Sequence, residues 1–412
     1  MAGGEIDDAL ARIDADHERA VAFLAELVRA PSDNPPGDCA PHASRTKALL
    51  EELGFRVETD PVPEELARAH GMVSATNLIV RHRFGDGPVL ALNAHGDVVP
   101  PGLGWTADPY GAVIRDGWMY GRGVAVSKSD IATYAFALKA LVEAGMPLAG
   151  TIELHVTYDE EAGGHLGPAR LIKEGLTRPD FAICPGFAYS VVTAHNGCLH
   201  LEVEVTGRSA HAAQPETGRD AIAAAVAIIR RIYGYAEGLA ERRSSYEGID
   251  HPTCVVGLIS GGINTNVVAD RAVFRLDRRI VPEEAPEAVE KELKVLIEEA
   301  TGALDGINAG VRRILLARPF LPVGGAERLA AIVAENGTRF LGEPVPQVAV
   351  PLYADARHYA EAGIPTVMYG AGPRTLLEAN GHRADERLPL ETLRIARKTI
   401  AASAAALLRP EQ

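Results

Sequence analysis

The chain has 412 residues, 47% of them hydrophobic, and a formal net charge of −14. That length exceeds what one core usually serves and points to two domains, and the balance of apolar and charged residues is that of a globular protein. An acidic chain without Lys/Arg clusters repels phosphate backbones, which excludes nucleic acid as a partner, and no apolar run reaches the roughly 18 residues of a membrane span.

The first twenty residues are acidic and lack a basic segment followed by an apolar core, which argues against a secretory signal and for a cytoplasmic protein. Ile6, Leu10, Ile13, Val21, Leu24, Leu27 and Val28 recur at helical spacing and predict one helix over 6–30, ended by Pro31, Pro35 and Pro36. A second helix is expected over 43–53, closed by Gly54. Residues 75–83 and 88–94 read as strands; the second is almost wholly apolar, as suits a central strand covered on both faces. A helix over 129–145 and a buried strand over 150–158 follow.

From about residue 194 the pattern changes. LHLEVEVTG (199–207) alternates apolar and polar, as a half-exposed antiparallel strand does. Helices are expected over 219–243 and 283–302, and strands over 253–260, 272–280 and 309–317. The chain then returns to a helix over 325–341, a buried strand over 362–370 and a closing helix over 389–408. The expected architecture is α/β: a mixed-sheet catalytic domain (1–193 and 317–412) interrupted by an α+β domain (194–316). Cys39, Cys184, Cys198 and Cys254 form no CxxC pair and read as buried free thiols.

Three constellations carry chemistry. His95-Gly96-Asp97 lies at the C-terminal end of an apolar strand, the edge where open α/β sheets bind ligands. A histidine there can offer a neutral nitrogen to a metal, and an acid two residues on can orient the ring; a satisfied structural histidine is the plain alternative. Asp159-Glu160-Glu161 also follows a buried strand. Three adjacent carboxylates repel one another, and a cation or a protonated member relieves the repulsion. We assign Glu161 as metal ligand and Glu160 as general base, activating water at the metal; a solvated acidic turn is the alternative. His382, in EANGHRADERLPLETL, precedes the last helix and gains weight only beside the other two.

Together these pieces resemble the M20 family of metallopeptidases and amidohydrolases. The similar segments are HGDVVPPGLGWTADPYGAVIRDGWMYGRGVAVSKSD (95–130), TYDEEAGG, GRSAHAAQPETGRDAI (207–222), GGINTNVVADRAVFRLDRRIVPEE (261–284) and YADARHYAEAGIPTVMYGAG (353–372), in the family's order. The resemblance implies a zinc-peptidase-like catalytic domain with an inserted lid and dimerisation domain, hence a homodimer or higher oligomer. It implies His95, Glu161 and His382 as metal ligands, Asp97 orienting His95 and Glu160 shuttling the proton. It further implies that His211 reaches the partner subunit's site to steady the oxyanion, and that Asn266 and Arg279 hold the substrate. Arg279 would take a carboxylate, a task that suits the rigid guanidinium fork; a strand-end surface cation is the alternative.

The chain departs from the family at two positions. The aspartate that bridges two metals in G-R-G-x-x-D-x-K falls on Val126, and a further acidic ligand falls on Gly186. Two histidines and one glutamate remain, the ligand set of a mononuclear catalytic site. We therefore expect one divalent ion per chain, Zn, Mn, Co or Ni, held less tightly than a pair. Asp130 and His195 are candidate substitutes for the missing ligands. Ser127-Lys128 makes a poor nucleophile pair, because adjacent residues on a helix face apart. The expected reaction is hydrolysis of an amide or peptide-like C–N bond in a small carboxylate-bearing substrate. An aminohydrolase like 5-nitroanthranilate aminohydrolase, releasing ammonia from an aromatic amine, is a second reading, and a non-catalytic binding or assembly protein is a third.

Overall fold

A computed structural model of the chain describes residues 2–410. It divides into two units. The first comprises residues 1–193, 322–348 and 354–412, and the second comprises Ala194–Leu321 with Ala349–Tyr353. The fold is α/β, with an eight-stranded mixed sheet and a separate four-stranded antiparallel sheet. Among the described residues no helix is long and apolar enough to cross a membrane. All four cysteines are buried, and none is joined in a disulfide.

The eight-stranded sheet runs in the order 57–61, 76–83, 151–157, 89–95, 181–184, 366–368, 191–195 and 347–350. Its four middle strands, 151–157, 89–95, 181–184 and 366–368, are mutually parallel, with His95 opposite Thr157 and Met368 opposite Cys184. Their apolar runs are buried because helices cover the sheet. Lys128–Glu143 packs on the strand Val89–His95, and helices His17–Arg29 and Leu390–Leu407 pack on it in turn. Burial on every side explains why this helix shows little amphipathic patterning. The parallel strands therefore deliver their C-terminal ends to one edge, where His95, the acidic turn after Thr157, Gly186 after Cys184 and Gly370 after Met368 emerge.

The helix expected over 6–30 is two helices, Ala2–Ala15 and His17–Arg29. Asp16 leaves helical geometry (φ −87°, ψ 12°), and its carboxylate accepts from Lys139 Nζ at 2.8 Å, a tertiary contact invisible to periodicity. The strand expected over 362–370 shortens to Thr366–Met368, because Gly363 sits at φ 80° and Pro365 donates no hydrogen bond. A three-stranded sheet, 113–115, 118–120 and 387–389, was not expected. It matters because it anchors the segment bearing His382.

In the second unit the strands run 253–261, 271–280, 197–206 and 308–317. Leu199, Leu201, Val203 and Val205 point into a core closed by helices Ala221–Gly238 and Pro286–Gly302. Asp220 caps the first of these helices, accepting from the amides of Ile222 and Ala223. The opposite face carries His200, Glu202 and Glu204, with Glu202 paired to Arg275 and Arg312, and Glu204 to Arg271.

Candidate active site

His95 closes its strand with the side chain buried. Its Nδ1 lies 3.0 Å from the carbonyl of Asp97 and 3.4 Å from Asp97 Oδ1. That pairing assigns the proton to Nδ1 and leaves Nε2 with a lone pair for a metal. Asp97, fully buried, also accepts from Asn34 Nδ2 at 3.0 Å and from the amides of Glu160 (3.3 Å) and Glu161 (3.1 Å). One carboxylate thus orients the histidine and fixes the acidic turn against it. Burial works against a charged His95, but the Asp97 hydrogen bond and the charges of Glu160, Asp97 and Glu161 outweigh it and raise its pKa well above the usual value.

The turn after Thr157 is held from several sides. Glu160–Ala162 is a 3-10 turn, closed by Gly163 (φ 110°) and Gly164 (φ 69°). The carbonyl of Gly163 accepts from His358 Nε2 at 3.0 Å and from Arg357. At Gly164 a Cβ would come within 2.0 Å of Asp355 Oδ1, so both space and backbone demand glycine. Burial, the largest cause, pushes Asp159 and Glu160 each up to about 7. His95 moderates the shift at Glu160, while Glu161 and Asp97 add to it.

His382 stands on a loop in the left-handed region (φ 61°), its Nε2 3.4 Å from Glu161 Oε1. That oxygen is buried and makes no hydrogen bond, so the contact is one of charge without hydrogen-bond geometry. Glu161 raises the pKa of His382, against the effect of burial. The loop is tied down by Glu386, which sequence reading missed. Glu386 Oε2 takes Arg122 Nη1 at 2.6 Å, and Oε1 takes the amides of Ala125 (3.0 Å) and Val126 (3.2 Å). Both partners are 1% exposed. Arg122 also donates to the carbonyls of Pro101 and Arg383, each at 3.2 Å. Such a buried pair is tolerable because most of its remaining hydrogen-bonding capacity is filled, with Arg122 Nε the one buried donor left without a partner.

The donor set suits a borderline divalent ion: one imidazole with a free Nε2, a buried carboxylate oxygen without a hydrogen bond, and a second imidazole beside it. His95, Glu161 and His382 do not all lie within 4.8 Å of one another; among the described residues the trio that does is Cys198, His200 and Asp277. Holding one ion therefore requires the three side chains to draw closer together than they stand here. A second acid that sequence reading missed lies close enough to feel the charge of Glu160. Asp355 is buried, neither of its oxygens has a hydrogen-bond partner, and burial followed by the charges of Glu160 and Asp159 raises its pKa well above the usual value. Its only sequence signal is its place in YADARHYAEAG.

The two positions without ligands differ in kind. Val126 is half-buried, and its amide serves Glu386. At Gly186 there is no room for a side chain, since a Cβ would lie 2.8 Å from the amide nitrogen of Tyr369. Asp130 fills the neighbouring space, accepting from the amides of Ala371 (2.8 Å) and Gly186 (3.3 Å), and burial pushes it up to about 8. It braces the strand ends with both oxygens. His195 belongs to the second unit, with Nδ1 2.8 Å from the carbonyl of Asn196 and its ring against Phe320. Ser127 Oγ meets the backbone of His95 and Lys128 Nζ the carbonyl of Ala30, so the two functional groups serve different partners.

In the second unit, His211 and Asn266 come together on a small ribbon. His211 pairs with Val267, the amide of Ala212 donates to the carbonyl of Asn266 at 3.0 Å, and both side chains are exposed. Arg279 lies on the larger sheet, with Nε 3.0 Å from Asp277 Oδ1 and its guanidinium over Tyr353.

Comparisons with known proteins bear on descent and fold. Residues 91–406 match the sequence model of peptidase family M20/M25/M40. A succinyl-diaminopimelate desuccinylase of Gluconacetobacter diazotrophicus is 27% identical over 84% of this chain and 92% of its own length. An acetylornithine deacetylase of Myxococcus xanthus is 29% identical over 84% and 87%. Among solved structures, the di-peptidase Dug1p from Saccharomyces cerevisiae superposes with a TM-score of 0.80 at 13% identity, over all of both chains. The M20 metallo-carboxypeptidase Sso-CP2 from Sulfolobus solfataricus gives 0.75 at 19% identity, over 94% and 98%. Such distant structures speak for the fold; the family match spans most of the chain and speaks for descent, and with it for metal-dependent hydrolysis of peptide or amide C–N bonds. The chain belongs to peptidase family M20/M25/M40.

Proposed function

We propose that this protein hydrolyses an amide or peptide-like C–N bond in a small carboxylate-bearing substrate, using one divalent ion per chain held by His95, Glu161 and His382. The observation that carries the reading is a single one. Glu160 is a partly buried carboxyl pushed up to about 7, next in sequence to the Glu161–His382 donor pair. A group poised near neutrality both takes and gives a proton efficiently.

A divalent ion bound there supplies Lewis acidity, polarising the carbonyl and making water a better acid. Glu160 removes the proton from the attacking water and delivers it to the departing nitrogen. Asp97 keeps Nδ1 of His95 protonated, so that Nε2 faces the ion. His211, from the partner subunit, would steady the oxyanion, with Asn266 and Arg279 holding the substrate and Arg279 pairing with its carboxylate. The names of the relatives support N-acyl amino acids and dipeptides as the substrate class. The absence of acids at Val126 and Gly186 supports one ion where two are usual in the family.

A panel of N-acyl amino acids and dipeptides, assayed with zinc, manganese or cobalt, tests the reading. We expect hydrolysis in the parent and a loss of about 10²–10⁴-fold in kcat for Glu160→Gln, with metal content unchanged. Ammonia release from an aminobenzoate with no amide cleavage would replace the reading with an aromatic aminohydrolase. Full amide hydrolysis by Glu160→Gln would remove Glu160 from its role.

A further inference from the structure

Cys198, His200 and Asp277 have no part in the reaction proposed above, yet they gather on one face of the antiparallel sheet in the second unit. Cys198 and His200 stand two residues apart on one strand and so face the same way. Asp277 is the cross-strand neighbour of His200. A ligand atom from each lies within 4.8 Å of the other two. His200 Nε2 is 2.9 Å from Asp277 Oδ2, and Cys198 Sγ is 3.5 Å from the same oxygen.

Those spacings approach the edges of a metal-centred tetrahedron. With bonds of about 2.0–2.3 Å, neighbouring donors sit about 3.3–3.7 Å apart. The Cys–Asp separation already falls in that range, and the His–Asp separation needs to open by less than 1 Å. We propose that these three side chains form a second cation site, for a borderline or soft divalent ion such as zinc or cobalt, separate in ligands and chemistry from the hydrolytic centre.

Charge and access favour it. On binding, the Cys198 S–H bond breaks, its proton leaves to solvent and a sulfur–metal bond forms, with no change of oxidation state. Thiolate and carboxylate then neutralise the dication, while His200 contributes a neutral nitrogen. The thiol is buried, whereas the side chains of His200 and Asp277 are 33% and 31% exposed, which gives an ion an entry path and leaves room for a fourth ligand from solvent. The other oxygen, Asp277 Oδ1, accepts from Arg279 Nε at 3.0 Å and is not needed by the ion. A sulfur donor distinguishes this site from the hydrolytic centre, whose proposed ligands are nitrogen and oxygen alone.

That difference makes the test specific. Full-length protein is titrated with cobalt(II) and the near-ultraviolet sulfur-to-cobalt charge-transfer band is followed. The band should appear in the parent, and in Glu161→Gln, where the hydrolytic centre is disabled, it should persist and saturate at one equivalent. It should vanish in Cys198→Ser. His200→Ala, at a partly exposed position, provides a second variant should serine at the buried site prevent folding; it should weaken cobalt binding by at least about tenfold. No band in the parent, a band unchanged in Cys198→Ser, or unaltered cobalt affinity in folded His200→Ala would each overturn the proposal and reduce the trio to a hydrogen-bonded support for Arg279.

Discussion

At the scale of single residues, the proposed hydrolytic centre concentrates groups whose proton affinity is raised. Asp130 is pushed up to about 8, and Asp159 and Glu160 to about 7, each chiefly by burial. His95 and His382 are raised by their carboxylate neighbours, against burial. All five bind more proton in the fold than in the unfolded chain, so the stability they contribute is lost as pH rises through their folded values. Lys128, pushed down to about 7 by burial, acts in the opposite sense, as one group against five. His42, lowered by burial, opposes them only below the usual histidine value. The melting temperature of the ion-free protein should therefore fall between pH 6.5 and pH 8, as scanning calorimetry would show. A rise across that window would mean that these carboxyls are ionised in the fold.

At the scale of elements, the proposed catalytic edge depends on four parallel strands ending together and on the Arg122–Glu386 pair that anchors the His382 loop. Gly186 belongs to this packing. Restoring the family's acid there by Gly186→Asp would drive a side chain into the backbone of Tyr369. We expect a loss of about 1–3 kcal/mol in urea denaturation, the usual cost of overpacking, and no gain of a second ion in the proposed hydrolytic centre. An undiminished midpoint with a second ion bound would show that the strand end yields. How much of this was legible in the sequence follows from the same packing. Three of the four parallel strands were visible as apolar runs, with His95 and Glu160 as polar residues at their ends; the four-residue strand 181–184 was not, and His382 drew notice only as a loop histidine beside the other two. Asp355 and Glu386 were not visible, because an isolated acid in a loop has no periodicity and its burial depends on distant chain. Asp16 escaped for a related reason, since apolar spacing continued across it while Lys139 pulled it out of the helix.

At the scale of the molecule, the second unit presents an edge strand, Thr253–Gly261, whose outward side chains are strongly apolar. Val255, Leu258 and Ile259 are 52%, 62% and 56% exposed, and Ile263 just beyond is 79% exposed. An open apolar edge of this kind invites pairing with another chain. It supports the proposed homodimer, which the assignment of His211 to a partner's site requires. Leu258→Glu should shift sedimentation from dimer to monomer and lower kcat together with it. A variant that stays dimeric would move the interface elsewhere, and a fully active monomer would release His211 from its role. Everything in the proposed reaction returns to one ion shared by His95, Glu161 and His382. Anomalous diffraction from zinc-loaded crystals tests that directly. The account predicts one peak in the hydrolytic centre, within bonding distance of all three side chains. No peak there, or two peaks about 3.5–4 Å apart, would contradict it.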